Sequence, residues 1–188
     1  MSKNKILSTL VAFTLLFGGC SDETKNESVA DANAMLATNE IVLTGLDKKQ
    51  YVIQKKATGF ILDGAESKVL LIDIFATWCP PCQAEASHLS SLQSKYKESL
   101  VVLGVSVEEG VEDAKLQLFG EQYGASYTLV NSGENSKMIE AVATKLKIGR
   151  DFGIPLMALY KDGVLINYYQ GAVEEEFIES DIKKALGL

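Results

Sequence analysis

The sequence predicts an α/β domain in which helices flank a sheet with parallel pairing at its centre. Three observations carry that prediction. Val69–Phe75 and Leu100–Val107 are almost unbroken apolar runs, the mark of strands covered on both faces. Segments of helical length and periodicity follow each of them, so strands alternate with helices. Near the C-terminus, Met157–Tyr160 and Val164–Tyr169 flank Lys161-Asp162-Gly163, the turn chemistry of a β-hairpin.

The elements follow in order. Ile41–Leu43 and Tyr51–Ile53 enclose Gly45-Leu46-Asp47-Lys48-Lys49 and read as an antiparallel hairpin. Ala57–Leu62 is expected as a short helix ended near Asp63-Gly64. After the strand Val69–Phe75, a helix is expected from Pro80 to Tyr96, with proline tolerated in its first turn. Beyond the second buried strand, Val111–Tyr123 is a helix closed by Gly124. Tyr127–Val130 is a short strand and Asn135–Lys147 a further helix. Glu174–Leu186 is the final helix, with acids in its first turn and Lys183 and Lys184 in its last, as the helix dipole favours.

The 188 residues suffice for one compact domain with its own core. The formal net charge is −7. Residues 1–19 contain Lys3 and Lys5 and no acid, so without them 16 basic residues face 25 acidic ones, or −9. That balance excludes a nucleic-acid partner, which needs a basic footprint.

Met1–Gly19 has a basic start followed by an apolar stretch from Ile6 to Phe17. Twelve residues are too few to cross a hydrocarbon core, which needs about 20. The pattern reads as a secretory signal. Gly18-Gly19-Cys20 resembles the end of a bacterial lipoprotein signal, which implies that Cys20 is the lipidated first residue of the mature chain. Phe17 departs from the leucine usual there. Residues 1–19 are therefore expected as a lipoprotein signal peptide, 20–39 as a flexible polar tether with a reach of about 25 Å, and 40–188 as the domain.

The chemistry concentrates in Ala76-Thr77-Trp78-Cys79-Pro80-Pro81-Cys82. A buried strand delivers a Cys-x-x-Cys pair to the start of a helix, whose N-terminus stabilises a thiolate, the nucleophilic form. Cys79 is expected at an exposed turn as the attacking thiol, and Cys82, one helical turn on, as the resolving thiol. The rival reading, half a zinc site, needs two more ligands. The domain has no further cysteine and one histidine, His88, expected as a solvated helix residue. No metal or cofactor is implied. Pro80 and Pro81 both lack an N–H, so fewer donors face the Cys79 thiolate, which favours a more reducing couple. Asp73 interrupts an apolar strand; a buried carboxyl has a raised pKa and can exchange a proton with Cys82, or it caps nearby backbone. Glu85 precedes Leu89, Leu92 and Tyr96 at helical spacing and so joins the apolar stripe or its edge.

The order strand, Trp-Cys-x-x-Cys, helix, later Gly153-Ile154-Pro155, then a Lys-Asp-Gly hairpin resembles thioredoxin. The leading hairpin and the extra helix–strand–helix between Val111 and Lys147 resemble the envelope-anchored TlpA/ResA branch over roughly residues 40–188. The resemblance implies a thioredoxin fold: a central mixed sheet flanked by helices, with an N-terminal β-hairpin and a central helix–strand insertion. It implies a thiol–disulfide oxidoreductase of the bacterial cell envelope. Its partners would be protein thiols and disulfides, with apocytochrome c as one substrate class and a membrane thiol carrier as electron donor. Asp73 matches thioredoxin's buried aspartate, and Glu85 matches a glutamate that tunes the thiols of ResA-like proteins, although Ser87 stands where the family often has proline. Pro155 matches the family's cis-proline opposite the cysteines. Ile154 would then offer backbone groups to an extended substrate peptide, with Trp78, Pro80 and Pro81 bordering the docking surface. Leu156 replaces the more usual threonine. The alternatives are an oxidase or isomerase of protein disulfides, a thiol peroxidase, and a copper-binding assembly factor. The last would need a wider cysteine spacing and a downstream histidine, and none follows His88.

Overall fold

A computed structural model of the chain describes residues 39–149 and 151–188. The expected signal peptide, Cys20 and nearly all of the tether lie outside the described residues. Among the described residues, no helix is long and apolar enough to cross a membrane.

The described residues form eight strands and four helices: β1 Glu40–Thr44, β2 Gln50–Lys55, β3 Phe60–Leu62, β4 Val69–Phe75, α1 Pro80–Lys95, β5 Leu100–Ser106, α2 Asp113–Tyr123, β6 Thr128–Val130, α3 Asn135–Leu146, β7 Leu156–Lys161, β8 Val164–Gln170 and α4 Glu175–Leu186. The main sheet has the order β6-β5-β4-β7-β8. Its β4–β5 and β5–β6 pairs are parallel, and β4–β7 and β7–β8 antiparallel. This is the mixed central sheet of a thioredoxin fold, with α2-β6-α3 as the inserted unit.

β4 is central and buried along its whole length, which explains its continuous apolar sequence. Its residues split by parity. Val69, Leu71 and Phe75 join one core cluster with Leu89 and Leu92 of α1, Phe119 of α2 and Ile182 of α4. Leu70, Ile72 and Ile74 join another with Ile41, Ile53 and Phe60 of the small sheet and Met138 and Val142 of α3. Asp73 therefore lies on the α1 face, at the centre of the sheet. The hairpin turn between β7 and β8 places Asp162 at φ 53° and Gly163 at φ 76°, the left-handed pair that a tight hairpin requires.

One expected element is corrected. Ala57–Leu62 is not a helix: Phe60–Leu62 forms β3, antiparallel to β2 with Ile53 opposite Leu62. Six residues are too few to nucleate a stable helical turn unaided. Phe60 and Leu62 are buried while Ile61 is half-buried, a period of two, and the Phe60 ring meets Tyr160 edge-on with centroids 5.2 Å apart. The β1–β2 turn also reaches the main sheet. Gly45 bridges Val130, the Leu46 N–H donates to the Leu129 carbonyl at 2.9 Å, and the Asn131 N–H donates to the Thr44 carbonyl at 2.9 Å.

Candidate active site

The site forms where β4 ends and α1 begins. Thr77, between them, is pinned at both backbone groups: its N–H donates to Glu108 Oε2 at 2.7 Å, and its carbonyl accepts from Gln83 Nε2 at 2.8 Å. Burial pushes the Glu108 carboxyl up, but its ion pair with Lys115 and its bonds to Thr77 outweigh that and hold it below the usual carboxylate range.

Cys79 is the N-cap of α1, and Pro80 and Pro81 occupy the first turn. The first helical N–H is thus that of Cys82, which donates to Cys79 Sγ at 3.3 Å. The two cysteines are joined in a disulfide with Cα atoms 5.2 Å apart. Cys79 Sγ lies 3.6 Å from the Ile154 carbonyl oxygen, and the Ile154–Pro155 peptide is cis. All three prolines of the chain therefore stand around the dithiol. Cys79 does not sit exposed, contrary to the sequence expectation. It is 3% accessible and Cys82 2%, whereas Trp78 beside them is 63% accessible. The turn is at the surface, but Cys79 points back from it towards the half-buried Ile154.

Two carboxyls stand behind the dithiol. Asp73 is 2% exposed; its Oδ2 accepts from the Tyr127 hydroxyl at 2.9 Å, and its Oδ1 is buried with no hydrogen-bond partner. Desolvation dominates its titration. A hydrogen bond to a charged group stabilises by about 1.5–3 kcal/mol, and the Tyr127 bond lowers the pKa. Burial overrides it, and the Glu85 charge adds to burial, so the Asp73 pKa is raised to about 7.

Glu85 is 1% exposed on the inner face of α1, one turn beyond Cys82. Its Oε2 accepts from the Val173 N–H at 3.0 Å. Burial raises its pKa, and Glu174 and Glu175 add to that, against the Val173 bond and His88. His88 is not simply solvated. Its side chain is half-exposed, but Nδ1 is buried 3.9 Å from Glu85 Oε1, and neither atom has a hydrogen-bond partner.

Trp78 separates two grooves. One, of about 470 Å³, runs to Ile139 and Ala143 of α3 and to Phe152 and Ile154. The other, of about 190 Å³, runs to Leu118, Phe119 and Tyr123 of α2. The inserted α2-β6-α3 unit thus supplies one wall of each. Tyr127 and Glu108 escaped the sequence reading. Glu108 carries no local signal, being one acid among several. Tyr127 had an indirect one: Gly104 interrupts the buried β5, and glycine inside a strand often marks close approach by another group.

Fold and dithiol together define a thiol–disulfide oxidoreductase. The chain belongs to the Redoxin family, which matches residues 52–186. It is 24% identical over 191 residues to the thiol-disulfide oxidoreductase ResA of Bacillus thuringiensis, covering 98% of each chain. It is 27% identical over 183 residues to the ResA of Bacillus cereus, covering 95% of this chain and 90% of that one. Among solved structures it resembles a thiol:disulfide interchange protein of the thioredoxin family from Chlorobium tepidum, with a TM-score of 0.60 and 19% identity, covering 79% of this chain and 94% of the other.

Proposed function

We propose that this protein is a lipid-anchored reductase of protein disulfides in the bacterial cell envelope, held through Cys20. The observation that carries the catalytic reading is the Cys79–Cys82 pair at the start of α1, beside the cis-proline and in front of two buried carboxyls. In the reduced protein the Cys79 thiolate attacks one sulfur of a partner disulfide, breaks that S–S bond and releases one partner thiolate. Cys82 then gives its proton to Asp73 and attacks Cys79 Sγ. The mixed disulfide breaks, the second partner thiol leaves, and the Cys79–Cys82 disulfide remains. Two electrons pass to the partner, and a membrane thiol carrier restores the dithiol. Glu85 tunes the thiols electrostatically from the next turn of α1.

The docking roles follow from position. Trp78, Pro80 and Pro81 border the approach to the sulfurs, and Ile154 and Pro155 face them, so an extended partner segment would lie along Ile154. The paired prolines withhold two N–H donors from Cys79, which favours a reducing couple. By likeness to the ResA relatives, the partner class is apocytochrome c with its Cys-x-x-Cys-His segment.

The test is the equilibrium potential of Cys79–Cys82 in defined thiol buffers, with reduction of an oxidised Cys-x-x-Cys-His peptide as the second measurement. A potential near or below about −250 mV, close to thioredoxin, supports the reductase; one above about −150 mV, close to DsbA, makes it an oxidase. Equal rates on the haem-attachment peptide and on an unrelated disulfide peptide would remove the cytochrome assignment.

A further inference from the structure

Among the described residues, Tyr127 is the one side chain that hydrogen-bonds the Asp73 carboxyl, and its place there is built rather than incidental. Asp73 stands opposite Gly104 in the β4–β5 register. A Cβ at residue 104 would come within 2.8 Å of the Tyr127 ring, so the glycine is what lets the ring cross β5 to reach β4. The segment that carries Tyr127 is clamped to α1, the helix that carries Cys82. The Ser126 N–H donates to Ser90 Oγ at 2.8 Å, and Ser90 Oγ donates to the Gly124 carbonyl at 2.6 Å. The hydroxyl takes one oxygen of Asp73, at 2.9 Å, and leaves the other unbonded.

We infer that Tyr127 is a positioning residue of the exchange reaction: its hydroxyl, admitted by Gly104, holds the Asp73 carboxyl so that Oδ1 is free to accept the Cys82 proton. The inference rests on the reading of Asp73 as that acceptor. In the step concerned, the Cys82 S–H bond breaks and Asp73 Oδ1 gains the proton. The Cys82 thiolate then attacks Cys79 Sγ and expels the partner thiolate. The groups that act on Asp73 are Tyr127 ahead of β6 and Glu85 on α1. Without the hydroxyl, the ionised carboxyl loses its one bonded donor, so it ionises at higher pH and serves as base over a narrower range.

The reduced full chain mixed with 5,5′-dithiobis(2-nitrobenzoate) reads this directly. The first thionitrobenzoate released reports attack by Cys79, and the second reports resolution by Cys82. The second phase, followed from pH 5 to 9, is expected to rise through neutral pH. Tyr127→Phe should move that rise about one pH unit alkaline and slow the phase about tenfold at pH 6. Gly104→Ala, which displaces the ring, should move it the same way. Asp73→Asn should abolish the rise, and Tyr127→Phe added to it should change nothing more. A Tyr127→Phe profile that overlays the parent while Asp73→Asn flattens it would overturn the inference and leave Asp73 as acceptor. Equal slowing by Tyr127→Phe with and without Asp73 would reduce the tyrosine to packing and also overturn it. If Asp73→Asn leaves the profile intact, the acceptor reading fails and the inference falls with it.

Discussion

The two buried carboxyls behind the dithiol are nearly equally inaccessible yet differently housed. Asp73, 2% exposed at the centre of the sheet, has a tyrosine hydroxyl on one oxygen and nothing on the other. Glu85, 1% exposed on the helix, has a backbone N–H on one oxygen and a half-exposed imidazole near the other. Asp73 is coupled to the buried Tyr127 and Glu85, whereas Glu85 is coupled to the half-exposed His88. Burial alone therefore does not assign a role. On the function proposed above, the strand carboxyl is the acceptor within the reaction and the helix carboxyl the charge that tunes it.

That contrast can be broken in stages. The largest effect belongs to the sulfurs: Cys79→Ala should abolish exchange, and Cys82→Ala should leave the mixed disulfide intact, seen as a partner-sized mass adduct. Asp73→Asn comes next. General acid–base groups contribute typically about 10²–10⁴-fold, so the resolution rate should fall by about a hundredfold while attack by Cys79 is spared.

The same substitution should appear in stability with a definite sign. Asp73 ionises near pH 7 in the folded chain against 3.8 unfolded, so the native state binds the extra proton between those values. Stability should therefore fall as pH rises through that window, by at most roughly 4 kcal/mol. Urea unfolding of Asp73→Asn should gain on the parent from pH 4 to 7 and no further above it. Glu85→Gln is smaller and opposite to Tyr127→Phe. Removing its charge lowers the Asp73 pKa, so the resolution profile should move towards acid by a fraction of a unit. His88→Gln is the smallest. The histidine lowers the Glu85 pKa, so its loss should raise the Glu85 titration, followed by carboxyl carbon NMR.

What the sequence revealed divides along the same physical line. β4, α1 and the dithiol were legible because apolar continuity, helix-start prolines and the Cys-x-x-Cys spacing are local signals. Asp73 and Glu85 were legible as places where a charge falls on an apolar face. β3 was not, because three residues carry too short a pattern to outvote the segment before them. The Tyr127–Asp73 bond was not either. Its partners are 54 residues apart, and its one trace is a glycine whose meaning depends on the parallel register of β4 and β5. The burial of Cys79 was missed for the same reason, since Ile154, which faces it, arrives 75 residues later.

The contact between the β1–β2 turn and β6 has a consequence of its own. β6 is an outer strand of the main sheet, and the turn occupies its open hydrogen-bonding side at Leu129 and Asn131. A chain begun at Val52, where the Redoxin match starts, would lose β1 and the first two residues of β2. The bared ladder would then be a template for strands of other molecules. Such a trimmed chain would keep Cys79 and Cys82 and still tend to precipitate, because the hairpin shields the sheet from self-association.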